Sequence, residues 1–506
     1  MRIALLLSLA LLSACSTPPH SALDLQTTQT LDHQLLAKAR TAPPQATAQK
    51  CASTFDIENV KDGYFKVRER WKLLDCLYGD NPPRKLVVLL DGTENTKEDN
   101  TNIWRLYNLA LQQAKDGARV IPYYDKGVST SATTPFGAVF GSGVSLNIRQ
   151  AYRFLIEAYR PGDEIYLFGF SRGAFTARSL NGFIEIAGLP SNLKPDTWDD
   201  SRLWGWTGHM HDVVKDMYDL YKSRNDGVPG FDDALRSRLE QYRHANGIRI
   251  YGDAPGKADE KVVVKVIGVF DTVPAVGANL TEEPDEHRLE LYAQRGYHAM
   301  SLDEQRASFR LLRFGLPQSK SQVLEEVWFA GAHADVGGGY LNEPDTAQCG
   351  KSPYATQGGQ GLETIPLNWM LKNLEPDGIF ANGASLPGEC IGGPLHDEFH
   401  DAKYLVSSAY KETGLIRRKP VEHDKVHASV FQRMDIPRLA APHPQREPGA
   451  RYDPINLGYA RRDRCQQNDL ARNYNIVGRY EPHCPNTNGI RTKAANNDAV
   501  NIERLQ

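Results

Sequence analysis

A Gly-x-Ser-x-Gly turn, Gly169-Phe170-Ser171-Arg172-Gly173, stands between a short apolar run and a segment with helical spacing. The run Asp163 to Phe168 follows the turn Pro161-Gly162, and Ala174 to Ala187 repeats apolar residues at the 3.6-residue period until Gly188 stops it. Strand, tight turn and helix in that order fix what the serine does. It is predicted to occupy a strained turn at a helix N-terminus, where Cβ atoms on either flank would strike the neighbouring strand and helix. Glycine on both sides meets that need. A hydroxyl held there is presented for nucleophilic attack, and the N–H of Arg172 points to where an oxyanion would form.

The remaining apolar runs are Lys85 to Leu90, Arg119 to Tyr124, Glu164 to Phe168, Val262 to Phe270 and Val323 to Ala330. Helical patterns alternate with them at Asn102 to Lys115, Ser145 to Tyr159 and Ala174 to Ala187. Continuous apolar strands alternating with helices predict an α/β fold, a mostly parallel sheet covered by helices on both faces. Ligands bind such sheets beyond the strand C-termini. The residues expected there are Asp91-Gly92-Thr93, Ser171, Asp271-Thr272-Val273 and His333 through Tyr340. Acyl transfer needs a nucleophile, a base, a carboxylate that orients the base, and oxyanion donors. Ser171, His333 and Asp271 are the candidates for the first three, and Arg172 with the Gly92-Thr93 turn for the last. His427 is the alternative base, and Asp335 and Asp91 are alternative carboxylates. Asp91 also reads as a simple turn cap, and Asp335 as a brace for the Gly337-Gly338-Gly339 loop.

Residues 1–14 have one Arg and a short apolar run, as a secretory signal does. Leu12-Ser13-Ala14-Cys15 resembles a bacterial lipobox, which implies a lipidated Cys15 and, with Ser16 next, an outer-membrane lipoprotein facing the periplasm. Residues 15–50, rich in Ser, Thr, Pro, Ala and Gln, are expected to form a flexible tether, with a short helix at Leu31 to Lys38 as an alternative. The catalytic domain is assigned to 51–435 and a Pro-, Arg- and Asn-rich tail to 436–506. An insertion at about 195–260, with Trp198, Trp204, Trp206, Met210, Met217 and Tyr218, is expected as a helical cap; a satellite core is the alternative. Beyond Cys15 there are six cysteines, Cys51, Cys76, Cys349, Cys390, Cys465 and Cys484. None has Cys-x-x-Cys spacing, so up to three disulfides are expected rather than a metal site. A net charge of −3 gives no reason to expect nucleic acid as a partner.

Asp91-Gly92-Thr93, Gly169 through Ala174, Gly268-Val-Phe-Asp-Thr-Val273 and Gly331 through Tyr340 together resemble the signature blocks of the type VI secretion lipase effectors of the first class. The resemblance covers roughly residues 84 to 435. It implies an α/β-hydrolase fold and phospholipase or esterase activity through Ser171, Asp271 and His333, with a membrane lipid as substrate and no cofactor. A lipoprotein signal departs from the effector pattern and fits envelope lipid turnover by a resident enzyme. Two other readings stand beside it. Asp91, Asp271, His333 and Asp335 as metal ligands would make a phosphodiesterase, and an inert site would make a binding lipoprotein on a hydrolase scaffold.

Overall fold

The computed structural model describes residues 22–41, 45–55, 57, 64–79, 83–93, 95–127, 136–198, 206–223, 231–274, 290–340, 361–380, 389–398, 418–436, 452, 454–457, 473–480 and 492–493. Its centre is a nine-stranded sheet in the order β11-β10-β9-β8-β7-β6-β3-β1-β2, parallel at every pairing. The strands are β1 (Lys85–Leu90), β2 (Val120–Asp125), β3 (Glu164–Phe170), β6 (Val264–Phe270), β7 (Arg295–Ser301), β8 (Val323–Phe329), β9 (Lys425–His427), β10 (Asn475–Val477) and β11 (Thr492–Lys493). β4 (Thr197–Trp198) and β5 (Trp206–Thr207) form a separate antiparallel pair.

Strands β1, β3 and β6 are buried along almost their whole length, as continuous apolar runs in a doubly covered sheet must be. The covering helices include α4 (Asn102–Lys115), α5 (Phe136–Ala158) and α6 (Arg172–Ala187). Thr101 caps α4 by accepting from the N–H of Trp104, and the helix turns Ile103, Leu106, Tyr107 and Leu111 onto the sheet core. β1 lies between β2 and β3, so the chain order reverses at β1. Crevices open at such a reversal, beyond the strand C-termini. In register, Leu90 pairs with Gly169, Phe170 with Phe270, and Phe270 with Ala299. Asp91, Ser171 and Asp271 therefore leave the sheet at one level.

The expected tail supplies the sheet strands β10 and β11, and three further features differ from the sequence reading. Residues expected as a tether form α1 (Ala22–Thr41), which contains the alternative helix at Leu31 to Lys38, and α2 (Gln45–Thr54), and Leu31, Leu35, Leu36 and Ala39 are buried. They pack with α3 (Tyr64–Tyr78), and a Cys51–Cys76 disulfide ties α2 to α3. The apolar positions here are too few to stand out in a polar stretch, yet enough to bury one stripe per helix. Second, the insertion supplies α7 (His209–Lys222) and α8 (Phe231–Ala245), whose Met210, Val213, Met217, Tyr218, Leu235 and Leu239 join the main core. Arg236 and Arg243 donate to the carbonyls of Glu185 and Ala187 at the far end of α6, so the described part of the insertion braces that end. Third, β7 carries Gly296 and His298 inside a buried strand, which broke the apolar pattern by which a strand is recognised. Cys390 is also disulfide-bonded. Cys15, Cys349, Cys465 and Cys484 lie outside the described residues. Among the described residues no helix is long and apolar enough to cross a membrane.

Candidate active site

Ser171 is the single residue between β3 and α6, with φ 57° and ψ −125°. That backbone region is closed to nearly all side chains, and only an over-determined surrounding holds a serine in it. The surrounding is visible. A Cβ on Gly169 would stand 2.4 Å from the Gly173 carbonyl oxygen, and one on Gly173 would stand 2.2 Å from the Leu90 carbonyl oxygen. Those are backbone atoms of α6 and β1, which cannot give way. The Ser171 N–H donates to the Phe270 carbonyl at 3.0 Å, and the Val273 N–H donates back to the Ser171 carbonyl at 3.3 Å. The elbow is thus laced to the end of β6.

Asp271 stands at that end, fully buried and itself at a positive φ of 42°. Its Oδ2 lies 2.5 Å from His333 Nδ1, and its Oδ1 accepts the Ser301 N–H at 2.8 Å. Arg418 grips both oxygens, with Nη2 at 3.0 Å from Oδ2. Burial pushes this carboxyl up, but the Arg418 charge and the His333 contact outweigh it and hold it well below the usual carboxylate range. An ionised carboxylate only accepts, so Nδ1 of His333 carries the proton and Nε2 the lone pair.

His333 opens α9 (His333–Gly337), four residues after β8 ends, and is 5% exposed. Its ring lies between Phe170, centroids 4.6 Å apart, and Phe309 at 4.8 Å. Burial lowers its pKa below the ordinary imidazole value and prevails over the opposing bond and charge of Asp271. The pair is therefore a neutral imidazole on an ionised carboxylate at neutral pH, the state in which a base is ready to accept a proton. Nε2 is buried without a hydrogen-bond partner. Glu304, paired with Arg306 at 2.7 Å, accepts the His333 N–H at 3.3 Å and steadies the loop.

The other expected residues fall into place around this centre. Arg172 opens α6, and its guanidinium lies 5.3 Å from the Phe309 ring. Gly92 adjoins Ser171, since a Cβ built on it would stand 3.2 Å from Ser171 Cβ. Its N–H donates to Asp91 Oδ1 at 2.8 Å. Thr93 Oγ1 beside it is buried without a partner. Asp91 takes no part in the His333 pair: Thr101 Oγ1 donates to it at 2.7 Å and Tyr124 OH at 2.9 Å. Burial raises its pKa to about 7. Asp335 braces its loop, accepting the Ala332 N–H at 2.8 Å and pairing with His396 Nδ1 at 2.7 Å. His427 ends β9, stacks on Phe329 at 4.8 Å and caps α10 (Ala428–Asp435) by accepting the Ser429 N–H. Burial pushes it down to about 4. Among the described residues no three His, Cys, Asp or Glu side chains converge on a metal-sized site. Cys15 lies outside the described residues.

Sequence reasoning missed Arg418 and His298. Arg418 sits in the basic run Arg417-Arg418-Lys419, which reads as a solvated surface. His298 is wholly buried on β7 and had no strand to be read from.

The site thus sets a strained serine elbow at the crevice of a parallel α/β sheet with a buried His–Asp pair beside it. Residues 84–373 match the family described as type VI secretion system, phospholipase effector Tle1-like, catalytic domain, which is more than half of the chain. The chain belongs to that family. The Uncharacterized protein YEL023C of Saccharomyces cerevisiae is 28% identical over 252 residues, 46% of this chain and 33% of that protein. An uncharacterized protein from Pseudomonas aeruginosa, solved by crystallography, aligns with a TM-score of 0.30 and 17% identity over 72% of this chain and 51% of that one. The Tle1 effector, solved bound to the VgrG spike of the type 6 secretion system, aligns with a TM-score of 0.27 and 17% identity over 53% of each chain. The chain spans a third of the yeast relative's length and about half of each solved neighbour's.

Proposed function

We propose that this chain is a serine hydrolase that cleaves carboxylic esters of phospholipids, acting from a membrane anchor at Cys15. One observation carries the chemistry: His333 presents a buried, unpartnered Nε2 at the strained serine elbow while Nδ1 is fixed on Asp271. Ser171 Oγ attacks the ester carbonyl carbon as its proton passes to Nε2. The carbonyl oxygen gains the negative charge, and the N–H groups of Arg172 and Thr93 stabilise it, helped by the α6 dipole. Collapse expels the lyso-lipid alcohol, which takes the proton from His333 and leaves an acyl group on Ser171. Water, deprotonated by His333, then releases the fatty acid. Asp271 keeps the imidazole in the tautomer that this sequence needs and stabilises its charged form.

The test is a lipid-hydrolysis panel on purified protein with a fluorophosphonate as covalent label. Wild type should label and turn over phospholipid with or without chelator, and Ser171→Ala should do neither while remaining folded. Labelling absent in wild type, or turnover lost to the chelator, ends the serine reading. The anchor has its own test. Cys15→Ser should move from the membrane fraction to the soluble one with its rate on a soluble short-chain ester unchanged.

A further inference from the structure

The Asp271 carboxylate is held more heavily than orienting a histidine requires. Arg418, with its side chain 2% exposed, donates from Nη1 to Asp271 Oδ1 and, at 2.8 Å, to the Ser301 carbonyl. Nη2 donates to Asp271 Oδ2 at 3.0 Å and to the Phe309 carbonyl at 2.7 Å. One guanidinium therefore joins the end of β6, the end of β7 and the loop whose Phe309 ring abuts His333. Arginine suits this task, because its planar fork meets both carboxylate oxygens at once, which lysine cannot do. Arg418 also lies outside the span 84–373 that the family's catalytic domain covers.

We propose that Arg418 is a positioning residue for hydrolysis: it fixes the plane of the Asp271 carboxylate toward His333 and completes the site from beyond the family's catalytic span. The inference rests on the serine-hydrolase reading. The charged groups that bear on the pair are few. Asp271 meets Arg418 and His333, with His298 nearby, and His333 meets Asp271 and feels Glu304 and Arg306. Arg418 has a definite electrostatic effect, since a cation on Asp271 opposes the imidazolium that forms during turnover. Removing it lets the Asp271–His333 pair take up its first proton at higher pH.

The experiment compares wild type with Arg418→Lys, Arg418→Met and Arg418→Ala in the full chain. A soluble short-chain ester is the substrate, and rates are normalised to sites titrated by a fluorophosphonate. In Arg418→Met the kcat should fall on the order of 10²-fold with KM little changed, less than the roughly 10⁴-fold cost of a wrong histidine tautomer in a serine triad. The acid limb of kcat should move to higher pH, and added guanidinium ion should restore part of the rate in Arg418→Ala. Arg418→Lys keeps the charge and the stem without the fork and should lose less. A wild-type rate per titrated site with an unmoved acid limb, in either the Lys or the Met variant, overturns the inference, and so does a loss explained wholly by fewer titrated sites. Ser171→Ala run alongside separates the two failures. Hydrolysis surviving in it removes the nucleophile reading, whereas a dead Ser171→Ala beside normal Arg418 variants removes only the role of Arg418.

Discussion

The N–H of Thr272 donates to His298 Nε2 at 3.1 Å, and the other ring nitrogen lies 2.9 Å from Glu326. An acceptor at Nε2 fixes His298 as the neutral tautomer that donates from Nδ1. Burial pushes its pKa down, against the pull of Glu326. Glu326 in turn accepts from Arg313 at 2.9 Å and from the Phe314 N–H at 2.7 Å. A second histidine–carboxylate pair thus supports the backbone next to Asp271 without belonging to the reacting groups.

His298→Ala should destabilise the fold by about 2–4 kcal/mol, from a cavity and an unpaired Thr272 N–H. The rate per folded site should fall about tenfold, because the support of the Asp271 loop loosens. Urea unfolding and titrated-site kinetics measure both; a change below about 0.5 kcal/mol would show that the pair bears no load.

The backbone at Ser171 makes a paired prediction. Ser171→Gly and Ser171→Ala should both be inactive, but the glycine variant should be the more stable by about 1 kcal/mol, since only glycine adopts φ 57° and ψ −125° freely. Equal urea midpoints would mean that the elbow stores no strain.

Asp91 sets a dependence of stability on pH. Burial raises its folded pKa to about 7, whereas an unfolded aspartate titrates near ~3.9. The folded state binds the proton more tightly, so this contribution is full below about 4 and is lost as pH rises toward about 7. Asp91→Asn should remove that slope and gain on wild type at pH 8 relative to pH 4. Parallel stability curves across that window would disprove the sign. His333 works in the opposite sense. Its lowered pKa gives stability that is present above about 6.5 and lost as pH falls, so the acid limb of turnover should also lie below about 6.5.

The elbow, the carboxylate and the histidine were legible because each lies within four residues after a strand, and strand ends in a parallel sheet converge whatever lies between them. Gly169 and Gly173 were legible because close backbone approach leaves no alternative residue. Arg418 was not, since its partner is 147 positions away and no local pattern separates a buried arginine from a solvated one. β7 escaped because His298 and Gly296 interrupt its apolar run while Glu326 satisfies the histidine from the next strand. The helices at 22–54 escaped because their buried stripe is narrow and the polar residues around it dominate the composition.

The sheet order also governs when the site is assembled during synthesis. Ser171 and its elbow leave the ribosome early, but the elbow is laced to β6, the histidine follows β8, and the grip on Asp271 comes from Arg418, just before β9 in the chain. Contacts of such long sequence separation form late and slowly. A chain broken off before residue 418 holds Ser171, Asp271 and His333 without the guanidinium that joins the ends of β6 and β7.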